Sequence, residues 1–210
     1  MMKNRLRALL GQSLNIDWKI ALLTIVSTLL ITVDYYFRIT PGNYYDSILL
    51  YIVIPLGITW LIFRESPADY GFVIGDWKTG LLITVGGILL MAPIIWYLGT
   101  HQTSMQQYYQ YQPQGLIWKK GLELFGWEYL FRGWLLFGYA RKYGPDALWL
   151  QAVPFAVAHI GKPAVETLST IFGGFAFGWV SWRTGSFLYA FLIHWFISAF
   201  IILISSGALG

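Results

Sequence analysis

The chain has 210 residues, of which 57% are hydrophobic and only 11% charged, with 11 Trp and a net charge of +4. Soluble domains carry about a quarter of charged residues, so this composition excludes one and leaves a single membrane domain over 1–210. With no cysteine, disulfides, thiolate metal sites and Cys nucleophiles are excluded; the basic residues are scattered, which excludes a nucleic-acid partner.

A helix needs about 20 mostly apolar residues to cross the hydrocarbon core of a bilayer. Met1–Leu10 carries Lys3, Arg5 and Arg7 ahead of an apolar run that starts near Ile20 and continues to Phe37. No small-residue cleavage site interrupts it, so it reads as an uncleaved first span, Trp18–Phe37, and the residues before it could add an interfacial helix. Ser47–Phe63 and Lys78–Leu98 are the next spans. The polar, turn-rich loop Glu65–Trp77 between them shows no chemistry of its own. After a long polar loop, His101–Gln114, comes Gly115–Ala140, a span that carries Glu123, Glu128 and Arg132. Asp146–Ile160 is short, and Val165–Trp182 and Phe187–Ile204 complete a bundle of about seven spans (six to eight), all-α in class. Gly173, Gly174 and Gly178 lie at the small-residue spacing that lets helices approach closely in lipid.

The placement of Lys and Arg orients this bundle. With the N-terminus inside, the inner segments hold Lys3, Arg5, Arg7, Lys19, Arg64, Lys78, Arg141, Lys142 and Arg183, against Arg38, Lys119, Lys120 and Lys162 outside. That excess predicts a multi-pass plasma-membrane protein with a cytoplasmic N-terminus and an external C-terminus.

Three ionisable side chains, Glu128, His159 and His194, fall on three separate spans. An ionisable group at membrane depth costs about 2.5–3.5 kcal/mol on insertion scales, and such groups usually face a bundle interior and act there. Glu128 and Arg132 are i, i+4 and share a helix face, a pairing that keeps the carboxylate charged, as a ligand or a general base must be. Read blandly, the pair is structural and only offsets its own desolvation. His159 ends the short span, before the Gly161-Lys162-Pro163 break, with Glu166 close behind it. Glu166 either caps the next helix or orients the His159 ring. His194 lies near the middle of the last span with Ser198 one turn on, on the same face. His, His and Glu are zinc-ligand and acid–base types, so the three together point to one site if the spans bring them into contact.

The blocks Trp127-Glu128-x-x-x-Arg132, Phe155-x-x-x-His159 and His194-x-x-x-Ser198, in this order on separate spans, resemble the CPBP family of intramembrane metalloproteases. That family includes the type II CaaX prenyl endopeptidases and bacterial relatives linked to bacteriocin processing or self-immunity. Asp69-Tyr70-Gly71-Phe72 and the Gly161-Lys162-Pro163-x-x-Glu166 run also look like it, so the resemblance covers about Glu65 to Ser198. It implies a metal-dependent endopeptidase that cuts a membrane-associated peptide or protein within the lipid bilayer. Catalysis would rest on Glu128, His159 and His194, with Zn2+ on His159, His194 and Glu128 and with Arg132 and Ser198 in support; Glu166 lies outside the three blocks and joins the supporting residues from its closeness to His159. The family's first Glu, its general base, aligns with Trp127, and its Asn or Asp of the third block aligns with Ser198. Glu128 is one residue, about 100° of helix, away from the base position. Two alternatives therefore stand beside the protease: an inactive relative serving as a membrane scaffold or immunity protein, and a small transporter or proton relay. The last predicts repeat symmetry, which the sequence does not show.

Overall fold

The computed structural model describes residues 15–112 and 117–208. The Lys3–Arg7 basic run, any interfacial helix there and the expected start of the fourth span at Gly115 lie outside them. Asp17 opens the first helix, α1 (Trp18–Tyr36), its carboxylate accepting from the backbone N–H groups of Lys19 and Ile20, two of the orphan donors at a helix start. α2 runs Asn43–Phe63 and ends where Arg64 takes the left-handed conformation at φ 57°. α3 (Trp77–His101) is capped by Asp76, which accepts from Thr79 N–H. A short α4 (Thr103–Tyr109) follows.

The fifth helical run, α5 (117–143), is α-helical over Ile117–Glu128, π-helical over Tyr129–Leu135 and α-helical again over Leu136–Tyr143. α6 (Ala147–Val157) is short, α7 (Ala164–Thr184) ends at Gly185 with φ 70°, and α8 (Leu188–Ser205) closes the described chain. A helix takes its terminal left-handed residue most easily as glycine, which has no Cβ to clash.

All seven expected spans are helices, within a few residues of the expected ends. α1, α2, α3 and α8 are long and apolar enough to cross a membrane by themselves. α5 is not, because Lys119, Lys120, Glu123, Glu128, Arg132, Arg141 and Lys142 lie along it. α6 has 11 residues, about 17 Å of helix against a core of about 30 Å. α5 is the inner helix of the bundle, whereas α6 packs by one face and turns Trp149, Leu150, Val153 and Val157 outward. The chain is an all-helical integral membrane protein.

The π-helical turn of α5 sits at the centre, and every residue from Tyr129 to Leu135 is buried. Around it Leu23, Tyr51, Leu130, Phe131, Trp134 and Phe155 form the main core. Trp134 Nε1 donates to Thr59 Oγ1 at 3.1 Å, so its one polar atom is satisfied. Close approach is built in by glycine: a Cβ on Gly126 would lie 2.6 Å from the backbone oxygen of Ser47. Gly174 and Gly178 do the same for α6 and α7, where added Cβ atoms would meet Ala152 and Gln151. Gly173, expected in the same stripe, instead faces open space.

One loop differs from expectation. The polar loop His101–Gln114 contains α4, whose Met105 and Tyr109 are buried against Ile95, Ile201 and Ile202. Their i, i+4 spacing gives a helix one apolar face despite its polar composition. The loop between α2 and α3 is a structural strap. Ser66 and Asp69 form a capping box, and Phe72 packs edge-on against Tyr129. The backbone N–H of Asp76 donates to Thr184 O. At this end Glu65 accepts from Lys19, Tyr70 and Arg141, tying α1, the strap and α5 together.

Candidate functional site

The three expected blocks meet. Glu128 closes the α-helical first part of α5 and is fully buried. Its Oε1 accepts a hydrogen bond from His194 Nδ1 on α8 at 2.7 Å. Its Oε2 lies 3.3 Å from Arg132 Nε, an ion pair without hydrogen-bond alignment. Arg132 is likewise fully buried, with its guanidinium 3.7 Å from the centre of the Phe155 ring. A cation over an aromatic face is stabilised by about 2 kcal/mol or more when desolvated, which helps to offset the burial of this charge.

His159 follows the C-terminus of α6. Its Nδ1 donates to Phe155 O at 2.8 Å, the carbonyl one turn back that the helix end leaves without an N–H partner. Thr167 Oγ1 donates to His159 O at 2.8 Å and fixes the backbone there. The His159 and His194 rings stand 6.5 Å apart, tilted by 29°. Both line one cavity of about 410 Å³ between α3, α7 and α8. In each ring Nδ1 is committed as a donor, so Nε2 is the nitrogen that carries the free lone pair.

Ser198 lines the same cavity beside His194. Glu166 does too, and it is the one carboxylate on the wall among the described residues. Lys162 Nζ donates to its Oε1 and Tyr109 to its Oε2, both at 2.7 Å. Of its two expected roles Glu166 does not take the orienting of the His159 ring, which falls to the Phe155 carbonyl. Its charge goes instead to joining α4 to the first turn of α7. Trp127, at the position where the resemblance puts a general base, packs edge-on against His159 with ring centres 5.9 Å apart.

Tyr109 and Phe177 line the cavity and were not singled out from the sequence, and Lys162, also on its wall, was noted only as part of the Gly161-Lys162-Pro163 run. Only the Met105/Tyr109 spacing hinted at Tyr109, and Phe177 has no local signal. Phe177 stacks on His194 at 5.2 Å and also faces the Arg132 guanidinium at 5.3 Å.

Among the described residues, no group of three or more His, Asp or Glu is placed to hold a metal ion. What the site offers zinc is two imidazoles, each with Nδ1 held by an acceptor, the arrangement in which metal-bound histidines are usually oriented. Glu128, expected as the third ligand, is bonded to the far nitrogen of His194. It stands as that ring's orienting partner and does not line the cavity.

Residues 122–200, from α5 to α8, match the family model of type II CAAX prenyl endopeptidase Rce1-like proteins. Over this stretch the chain is similar to that family. The match contains Glu128, Arg132, Phe155, His159 and His194, and it bears out the resemblance seen in the three blocks. No curated protein and no solved structure matches the chain. The strap between α2 and α3 and the α3 wall of the cavity lie before the matched segment.

Proposed function

We propose that the chain is an intramembrane endopeptidase that hydrolyses a membrane-associated peptide or protein in the cavity lined by His159 and His194. The observation that carries this reading is the pair of rings on one cavity wall, both with Nδ1 committed and Nε2 free. A carboxylate behind Nδ1 holds His194 in one tautomer and stabilises the imidazolium that forms when Nε2 takes a proton. His194 then removes a proton from water as the water's oxygen bonds to the scissile carbonyl carbon. The same proton passes to the leaving amine as the C–N bond breaks. His159 Nε2 and Ser198, on the same cavity wall, orient the water and the carbonyl. Arg132 balances the charge of Glu128, so the carboxylate stays an acceptor for His194 at membrane depth.

Zinc, where bound, would sit on His159 and His194 and supply Lewis-acid polarisation of the carbonyl and a more acidic water. Glu166, held by Lys162 and Tyr109, is the carboxylate on the cavity wall that would take up the proton. Hydrophobic residues of α3, α4 and α8, among them Ile95, Met105 and Ile201, line the rest of the cavity and suit an apolar, membrane-held substrate. The prenyl specificity in the family's description is not carried over, because none of these side chains is a reader of that group in particular.

A second reading, an inactive scaffold or immunity protein, is favoured by Trp127, since an indole in the base position cannot accept a proton. The two separate in one experiment. Protein reconstituted in vesicles is incubated with a library of membrane-inserted peptides, and products are followed by mass spectrometry. The endopeptidase reading expects cleavage by wild type and none by His194→Ala. No cleavage by either, with both folded, supports the scaffold.

A further inference from the structure

Behind the cavity wall a second group of polar side chains is buried between α5, α6 and α7, and none of its members lines the cavity. The in-plane nitrogens Nη1 and Nη2 of Arg132 have no hydrogen-bond partner, while Phe155 covers one face of the guanidinium. A guanidinium carries five N–H donors and no acceptor; Glu128 Oε2 stands beside Nε only, so the Nη1 and Nη2 groups need acceptors from elsewhere.

Acceptors lie on both neighbouring helices. Gln151, fully buried, uses both amide N–H bonds, donating to Leu148 O and Gly174 O at 2.8 Å each. Those two bonds fix the amide plane and leave Oε1 without a partner. Gly178 makes this possible, because a Cβ there would stand 2.6 Å from Gln151 Nε2. Ser181, also fully buried, has an unpartnered Oγ. Gln151 is one helical turn from Phe155, and Ser181 is one turn from Phe177, the two rings packed around Arg132. Donors without acceptors and acceptors without donors are thus carried on three helices that pack against one another.

We propose that Arg132, Gln151 and Ser181 hold a buried site for ordered water, separate from the substrate cavity. Water accepts from the Arg132 N–H groups and donates to Gln151 Oε1 and Ser181 Oγ, giving each molecule the two to four partners that buried waters make. An anion is the wrong occupant, because Glu128 already balances Arg132 and a second negative charge would be buried without compensation. The site solvates the guanidinium edge, which leaves Glu128 Oε1 free to serve His194.

A crystallographic map of the lipid-embedded protein, fine enough to show ordered water, tests this directly. The expected result is water density within hydrogen-bonding distance of both an Arg132 Nη and Gln151 Oε1 or Ser181 Oγ. That density is lost in Gln151→Leu, and no anomalous peak appears there after a bromide soak. Ser181→Ala, a smaller change, gives loss of the water nearest α7 should Gln151→Leu fail to fold. A dry gap, direct bonding of Arg132 to Gln151 Oε1, or a bromide peak would each overturn the proposal.

Discussion

Removing the Glu128 carboxylate is the sharpest test of how the centre of the bundle is held together. Glu128 and Arg132 are both fully buried, and Glu128 is the only acidic partner of Arg132 among the described residues. Breaking a buried ion pair by deleting one partner costs about 3–5 kcal/mol, because the survivor is left uncompensated. Glu128→Ala also removes the acceptor of His194 Nδ1, a hydrogen bond to a charged group worth about 1.5–3 kcal/mol. The Phe155 ring stays over Arg132 and retains part of the stabilisation, so about 3–5 kcal/mol is the net expectation. In a chain of 150–250 residues each kcal/mol moves the melting temperature by about 2–4 °C, which predicts a drop of about 6–20 °C. Intrinsic tryptophan fluorescence during heating in detergent reads this from the chain's 11 Trp. Glu128→Gln keeps an acceptor for His194 and should fall between wild type and Glu128→Ala. The double variant Glu128→Met/Arg132→Met should recover most of the loss, since replacing both members of a buried pair by apolar groups is often neutral or stabilising. A melting temperature for Glu128→Ala within about 2 °C of wild type, or a double variant less stable than the single one, would refute the reasoning.

The remaining expectations use the same preparations. Gly126→Ala puts a Cβ 2.6 Å from the Ser47 backbone oxygen and should destabilise by about 1–3 kcal/mol, whereas Gly173→Ala, facing open space, should melt like wild type. Partial burial alone would raise the Glu65 carboxyl, but hydrogen bonds from Lys19, Tyr70 and Arg141 outweigh it and hold the group at about 2 against an ordinary 4.5. Its folded value is depressed, so its contribution is full above about pH 4.5 and is lost as the pH falls towards about 2. Glu65→Gln should cost about 1 kcal/mol at neutral pH, after discount for solvent screening, and should flatten that acid limb in melts followed from pH 6 to pH 2. Elemental mass spectrometry of purified protein is expected to find zinc in wild type and to lose it in His159→Ala/His194→Ala. Equal zinc in both would take these two histidines out of any metal site.

Much of this fold was legible because lipid imposes a simple length rule. α1, α2, α3 and α8 follow from uninterrupted apolar stretches, and α5 and α6 from their places between them. The meeting of Glu128, His159 and His194 was foreshadowed by the expense of placing each in a membrane, since only a shared interior offers such groups partners. The Glu128–Arg132 pair was legible from its i, i+4 spacing, but the remaining partners were not. The π-helical turn after Glu128 adds a residue to the turn and shifts the register of the side chains beyond it, and no local residue preference announces such a turn. The acceptor for His159 Nδ1 is a backbone carbonyl, which a reading of side chains passes over. Glu166, close to His159 in sequence, turns to Tyr109, 57 positions away. α4 was hidden by its Gln and Tyr content, although Met105 and Tyr109 supply the one face it needs to pack.

The central claim is that His159 and His194 form the working centre of a membrane endopeptidase. Its most direct test compares the peptide termini in membranes of cells making wild type with those in cells making equal amounts of folded His159→Ala/His194→Ala. The account predicts new termini, in membrane-associated proteins, that appear with wild type and vanish with the double variant. Identical termini in the two membranes would contradict it.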